Sequence, residues 1–177
     1  MTTQSLASYS PLDVVVILTQ KSTGIVHRVV GYMEDTFVNV ERDSDTWTHV
    51  TGVDNFSTRV YMANTSGKVT LSLQQGSPSN DVLTALYRQD AATRNNTGLF
   101  SILVKDGSGR SVYSSQQAYI GKVPNSQFGN TVQAREWIIN STAVDSTIAG
   151  NGSIQPEDVD TLNALGVTTP TQWIAGN

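Results

Sequence analysis

Gly67 to Asp90, GKVTLSLQQGSPSNDVLTALYRQD, writes a strand, a stop and a helix in immediate succession. Val69, Leu71 and Leu73 alternate with Lys68, Thr70, Ser72 and Gln74, the period-two pattern of a strand with one buried face. Gly76-Ser77-Pro78 ends it, because proline cannot donate to a ladder and glycine supplies unusual backbone angles. Ser77 followed by Pro78, or Ser79 ahead of Asn80 and Asp81, offers a helix cap. Val82, Leu83, Leu86 and Tyr87 then recur at helical spacing, with Asp81, Thr84, Arg88 and Gln89 opposite, which predicts a helix over about 79–92. Nothing in the stretch has the chemistry of a reactive site.

Working outward, the chain reads mostly as strands. Val14 to Thr19 is a β-branched run of the kind found in buried strands, and Ile25 to Met33 is its expected hairpin partner across Gln20 to Gly24. A shorter, polar strand is expected over Thr36 to Arg42. Asp43 to Asn55 is rich in turn formers yet holds Trp47 and Val50, and reads as a long loop or a weak hairpin arm within an excursion over 34–55. Ser57 to Ala63 is a further strand. Beyond the helix, Asn95 to Gly98 is expected to end it by left-handed backbone geometry. Leu99 to Lys105 and Ser111 to Gln117 flank the turn Asp106-Gly107-Ser108-Gly109, and Tyr119 to Val123 runs to a break at Pro124. Thr131 to Asn140 is the last strong strand, with Trp137 and Ile139 on one face.

From Ala149 the composition changes. Gly150 to Ser153 is a linker, and Pro156, Glu157 and Asp158 open a short helix carrying Val159, Leu162 and Leu165, stopped by Gly166. The expected organisation is a β domain over 1–148 and a C-terminal extension over 149–177. The fold class expected is mainly β: a two-sheet sandwich or partly closed barrel with one flanking helix, plus the short helical extension.

The 177 residues include no cysteine, which excludes a disulfide framework and thiolate chemistry. A net charge of −4 with no basic run gives no electrostatic footprint for nucleic acid. MTTQSLASYSPLD has neither the basic start nor the apolar run of a signal peptide, and no stretch in the N-terminal part is long enough to span a bilayer, so no membrane partner is expected.

Candidate chemistry is sparse. His27 lies in a strand beside Arg28 and His49 in a polar loop, and neither has metal-ligand spacing around it. Serines abound, but no Gly-x-Ser-x-Gly elbow supports a triad. Asp43 and Asp45 lack the glycine and distal glutamate of a calcium loop, and Glu157, Asp158 and Asp160 suit the first turn of a helix. Asp106 to Gly109 has strands on both sides rather than the following helix a phosphate loop needs. Trp47, Tyr61, Tyr113, Tyr119, Trp137 and Trp173 suit either a sugar platform or core packing and subunit contacts, the second being the plainer reading. No catalytic, cofactor-binding or metal-binding residue is expected.

The order of these elements resembles the tail tube proteins of contractile-tailed bacteriophages. GKVTLSLQQGSPSND, the helix VLTALYRQD and the strand AREWIIN carry the resemblance, which covers about Leu12 to Ala143. The polar excursion and the segment after Ala149 depart from the compact pattern of that family. The resemblance implies a non-enzymatic virion protein, assembled in the host cytoplasm, whose copies form hexameric rings stacked into an inner tube. Its implied partners are further copies, a contractile sheath, and baseplate and tail terminator proteins, with DNA passing through the lumen without specific binding. The related type VI secretion needle shares the fold, and another tail or baseplate component is a neighbouring reading. From a different class, a carbohydrate-binding β-sandwich remains open. On the tube reading, Trp47, His49 and Val50 belong to a ring-stacking loop, Thr70, Ser72 and Gln74 face lumen or solvent, and Trp173 and Ile174 contact a neighbouring subunit or the sheath.

Overall fold

The computed structural model describes residues 6–175. After a short 3-10 turn the strands run β1 (Val14–Gln20), β2 (Ile25–Arg28), β3 (Val38–Arg42), β4 (Trp47–Thr51), β5 (Ser57–Tyr61) and β6 (Gly67–Gln74). Helix α1 (Ser79–Thr93) follows, then β7 (Phe100–Asp106), β8 (Val112–Ile120), β9 (Ala134–Ser141), β10 (Asp145–Thr147) and helix α2 (Pro156–Ala164). The protein is mainly β, with two sheets and two helices, and its barrel is not closed. The large sheet has eight strands in the order β2-β1-β7-β8-β9-β6-β3, with β10 on β8; β4 and β5 form a ribbon of their own.

Alternation drives the large sheet. In β6, Val69, Leu71 and Leu73 are buried while Lys68, Thr70 and Ser72 are half-buried on the other side. Its long register with β9 places Leu71 opposite Trp137 and Val69 opposite Ile139, all four inward. Inward residues of β1, β7, β8, β6 and β9 form one core cluster with Leu83 and Leu86 of α1. A single eight-stranded sheet can surround one core only by bending, and β8 is where it bends. The first part of β8 pairs with β7, its last residues pair with β9, and between them β8 carries one extra residue, Ser115 to Ala118 lying opposite Phe100 to Ile102 of β7.

The two ends of the sheet, β2 and β3, do not pair; the chain between them spans the gap. Val29 N–H donates to Val16 O on β1, and two residues later the backbone is already on β6, where Gln74 N–H donates to Gly31 O and Met33 N–H to Ser72 O. This crossing is why β2 stops at Arg28 instead of running on to Met33. Gly31 makes it possible: its φ is +75°, and a Cβ there would lie 2.6 Å from Ser77 Cβ.

The Ser-Pro stop between β6 and α1 fastens that crossing. Ser77 Oγ accepts from Ser79 N–H at 3.2 Å, the capping contact the sequence suggests, and donates to Val30 O at 2.6 Å. Ser79 Oγ accepts from Val30 N–H at 2.9 Å and lies 3.0 Å from His27 Nε2. Asn80 Oδ1 accepts from Trp137 Nε1 at 2.9 Å, tying α1 to β9. At the other end the left-handed residue is Arg94, with φ of 51°, one position ahead of the expected Asn95 to Gly98; Asn95 instead caps the following 3-10 turn through Thr97 N–H.

Candidate assembly surfaces

Among the described residues no group of three or more His, Asp or Glu side chains could hold a metal ion. An ion pair, Lys68 to Glu41 at 3.8 Å, joins β6 and β3 in the open. His27 is engaged with buried Ser79, and burial lowers its pKa from 6.5. The aromatic residues do not gather into a platform. Trp137 is in the core, Trp47 and Tyr61 share the ribbon, Tyr119 faces outward, and Trp173 lies under Arg110. What the chain offers is surface.

The excursion over 34–55 resolves into β3 and one arm of the β4–β5 ribbon. Every residue of both ribbon strands is exposed. Trp47 pairs with Tyr61, their rings 5.1 Å apart, and the Arg59 guanidinium lies 3.6 Å from the Trp47 ring. Trp47 and His49 therefore share a face with Tyr61 and Arg59, while Val50 points to the opposite face. Asn55, with φ of 64°, turns the tip, which presents Val53 and Phe56. An isolated two-stranded hairpin is marginal in water, so this one is a projection whose ordering gains from a partner. Its base is held by Asp43 N–H to Ser66 O and Ser66 Oγ to Asp43 Oδ2, at 3.0 and 2.8 Å.

The large sheet has two unlike outward faces. On β6, Thr70, Ser72 and Gln74 stand beside Ile138, Glu136 and Ala134 of β9, a largely neutral polar surface. On β1 and β7, Val15, Ile17 and Leu103 face outward and are half-exposed, with Arg28 and Lys105 beside them. The sequence run Val14 to Thr19 suggests burial on both sides, and the structure buries only Val16 and Leu18 of it. Between β3 and the β7–β8 turn the barrel stands open as a groove of about 720 Å³, floored by Val38, Val40 and Tyr113 and rimmed by Glu34, Asp35 and Asp106.

Trp173 and Ile174 turn inward on their own chain. Ile154 N–H donates to Trp173 O and Ala175 N–H to Ile154 O, closing the C-terminal segment on itself. Arg110 then clamps it, with its guanidinium 4.7 Å from the Trp173 ring and Nη1 donating to Gly152 O at 2.9 Å. Ser111 Oγ donates to Ala149 O and accepts from Ala149 N–H. α2 itself buries no residue.

A bent antiparallel sheet around one helix-capped core, with a free ribbon beside it, is a fold whose family is recognisable. The family model of the bacteriophage PhiTE tail tube protein matches residues 6–149. The chain belongs to this tail tube family. It is 40% identical over 168 residues to structural protein ORF10 of Pseudomonas phage KPP10, covering 95% of this chain and 97% of that one. Two solved structures share the fold at low identity. The tube-terminating cap of the anti-feeding prophage matches with a TM-score of 0.53 and 11% identity, over 84% of this chain and 97% of that one. A chain of the PVC sheath–tube complex of an extracellular contractile injection system matches with a TM-score of 0.51 and 9% identity, over 79% and 91%. The resemblance read from the strand–Ser-Pro–helix unit and from AREWIIN thus holds, and the tail tube match stops at Ala149, where the chain leaves the sheet for the Arg110 clamp.

Proposed function

We propose that this tail tube protein works by self-assembly, its copies closing into hexameric rings that stack into the inner tube of a contractile phage tail, through which DNA is ejected. The observation that carries the reading is the free β4–β5 ribbon on an otherwise complete body, in a chain of this family. A ribbon with every residue exposed gains stability by lying against another copy, and a head-to-tail contact of that kind extends without limit along an axis. Trp47, His49 and Val50 belong to this stacking element, Trp47 presenting an aromatic surface already held in place by Arg59. Thr70, Ser72 and Gln74, on the neutral polar face, line the channel. A wall without dense positive charge leaves phosphates unheld, so DNA slides past it. The likeness to a chain of a sheath–tube complex supports a sheath around the tube, with baseplate and terminator proteins at its ends, in the virion tail assembled in the host cytoplasm. Electron microscopy of the purified protein tests the reading: hollow rods with six-fold end views are expected, and a protein that stays monomeric at high concentration refutes it.

A further inference from the structure

Two surfaces remain uncovered, and their charges are opposite. The first is the outward face of β1 and its neighbours. Ile17 and Leu103 are directly paired across β1 and β7, Val26 of β2 is 66% exposed beside Thr19, and Arg28 and Lys105 stand to either side of β1 opposite Ile17 and Val15. None of the outward side chains on this face of β1, β2 and β7 is a carboxylate. The second surface is the C-terminal module. Leu165 and Val167, at the end of α2, are 74% and 50% exposed, and Glu157, Asp158 and Asp160 are exposed on the helix itself. From Ala149 onward the chain carries these three carboxylates and neither lysine nor arginine, so the module holds three of the four net negative charges of the whole protein.

An apolar strip edged with cations and an apolar helix end edged with anions are complementary, and each is the kind of patch that a partner covers. The module leaves its helix end uncovered as it is placed: Arg110 and Ser111 pin it to the β7–β8 turn, where Val159 and Leu162 are half-buried and Leu165 and Val167 stay exposed. We propose that the C-terminal module of one copy docks on the outward β1–β2–β7 face of a neighbouring copy, Leu165 and Val167 against Val26, Ile17 and Leu103, with the α2 carboxylates facing Arg28 and Lys105. Trp173 and Ile174 hold the module in shape and to its own body, and the contact is made by α2. The contact rests on the self-assembly reading above and adds a clasp between copies whose donating side, α2, lies outside residues 6–149, the part matched by the family model.

Charge reversal tests it, because all five charged positions are exposed, and circular dichroism of each variant should match that of the wild type. E157K/D158K/D160K should abolish rods in sedimentation and microscopy, R28E/K105E should do the same, and one chain carrying both sets should assemble again. The protein has no cysteine of its own, so V26C/L165C under oxidation should give disulfide-linked ladders. Rods of wild-type length from both single-set variants overturn the clasp while leaving the tube reading standing. A V26C–L165C disulfide formed within single chains overturns the second copy as occupant. A wild-type protein that never assembles overturns both.

Discussion

Ser79 is fully buried, yet its hydroxyl serves a strand segment 49 residues away, accepting from Val30 N–H and meeting His27 Nε2. Having accepted from Val30, the hydroxyl still has a proton and a lone pair, so it can partner Nε2 of a neutral histidine in either tautomer. Ser79→Ala leaves the Val30 amide and the His27 nitrogen without that partner, and should lower stability by about 1–3 kcal/mol, read as a drop in denaturant midpoint. A variant as stable as the wild type would show that water replaces the hydroxyl at no cost. The same contact sets a pH dependence. Burial lowers the His27 pKa from 6.5, so the folded protein resists a proton that the unfolded chain takes up. Stability from this group is complete above 6.5 and is lost as pH falls below it toward the lowered folded value. Melting temperature should decline on the acid side of that point, and His27→Gln should decline less; parallel profiles would rule out His27 as the source.

At the scale of elements, the ribbon and the body are separable. β4 and β5 pair only with each other, and the hydrogen bonds at Asp43, Ser66 and Arg42 close its base without it. Replacing Trp47 to Tyr61 with a short glycine-containing turn should therefore leave the core melting transition within a few degrees of the wild type while rods disappear. Unchanged rods would remove the ribbon from the stacking contact. How well each element could be read follows from where its pattern originates. β6, α1 and β9 are legible because each repeats an apolar period against one continuous core. Of the ribbon, β5 reads as a strand, but the β4 segment reads as a long loop or a weak hairpin arm because both of its faces meet water, so Thr48, His49 and Thr51 have no reason to alternate with apolar residues. Ser111 to Gln117 and Tyr119 to Val123 read as two strands because the Ser115 to Ala118 stretch is the corner of the sheet, where β8 changes partner without ending.

For the whole molecule, the contrast between outward faces assigns directions. An apolar face edged with Arg28 and Lys105 is the costlier one to leave in water, and the proposed assembly covers it and gives the neutral face of β6 and β9 to the channel. Thr70→Lys with Ser72→Lys should then assemble normally but slow DNA release, because a cationic wall holds phosphates, and the delay should shrink at high salt. Release at the wild-type rate, in virions carrying such tubes, would place that face away from the DNA. With the ribbon after β3 and the C-terminal module at the β7–β8 turn, the proposed assembly uses a different surface for stacking, for lateral contact and for the lumen.

The sequence by itself determined the β character, the position of α1, the inward set Val69, Leu71, Leu73, Trp137 and Ile139, and the acidic helix after Ala149. Periods of two and of 3.6 residues are local properties, written wherever one side of an element is buried. Only the tertiary structure decided that one sheet bends at β8 to enclose the core, that Ser77 and Ser79 fasten the crossing at Val30, that Trp173 serves its own Arg110, and which outward face is apolar. Each of these joins residues far apart in the chain, and no local period records such a pairing.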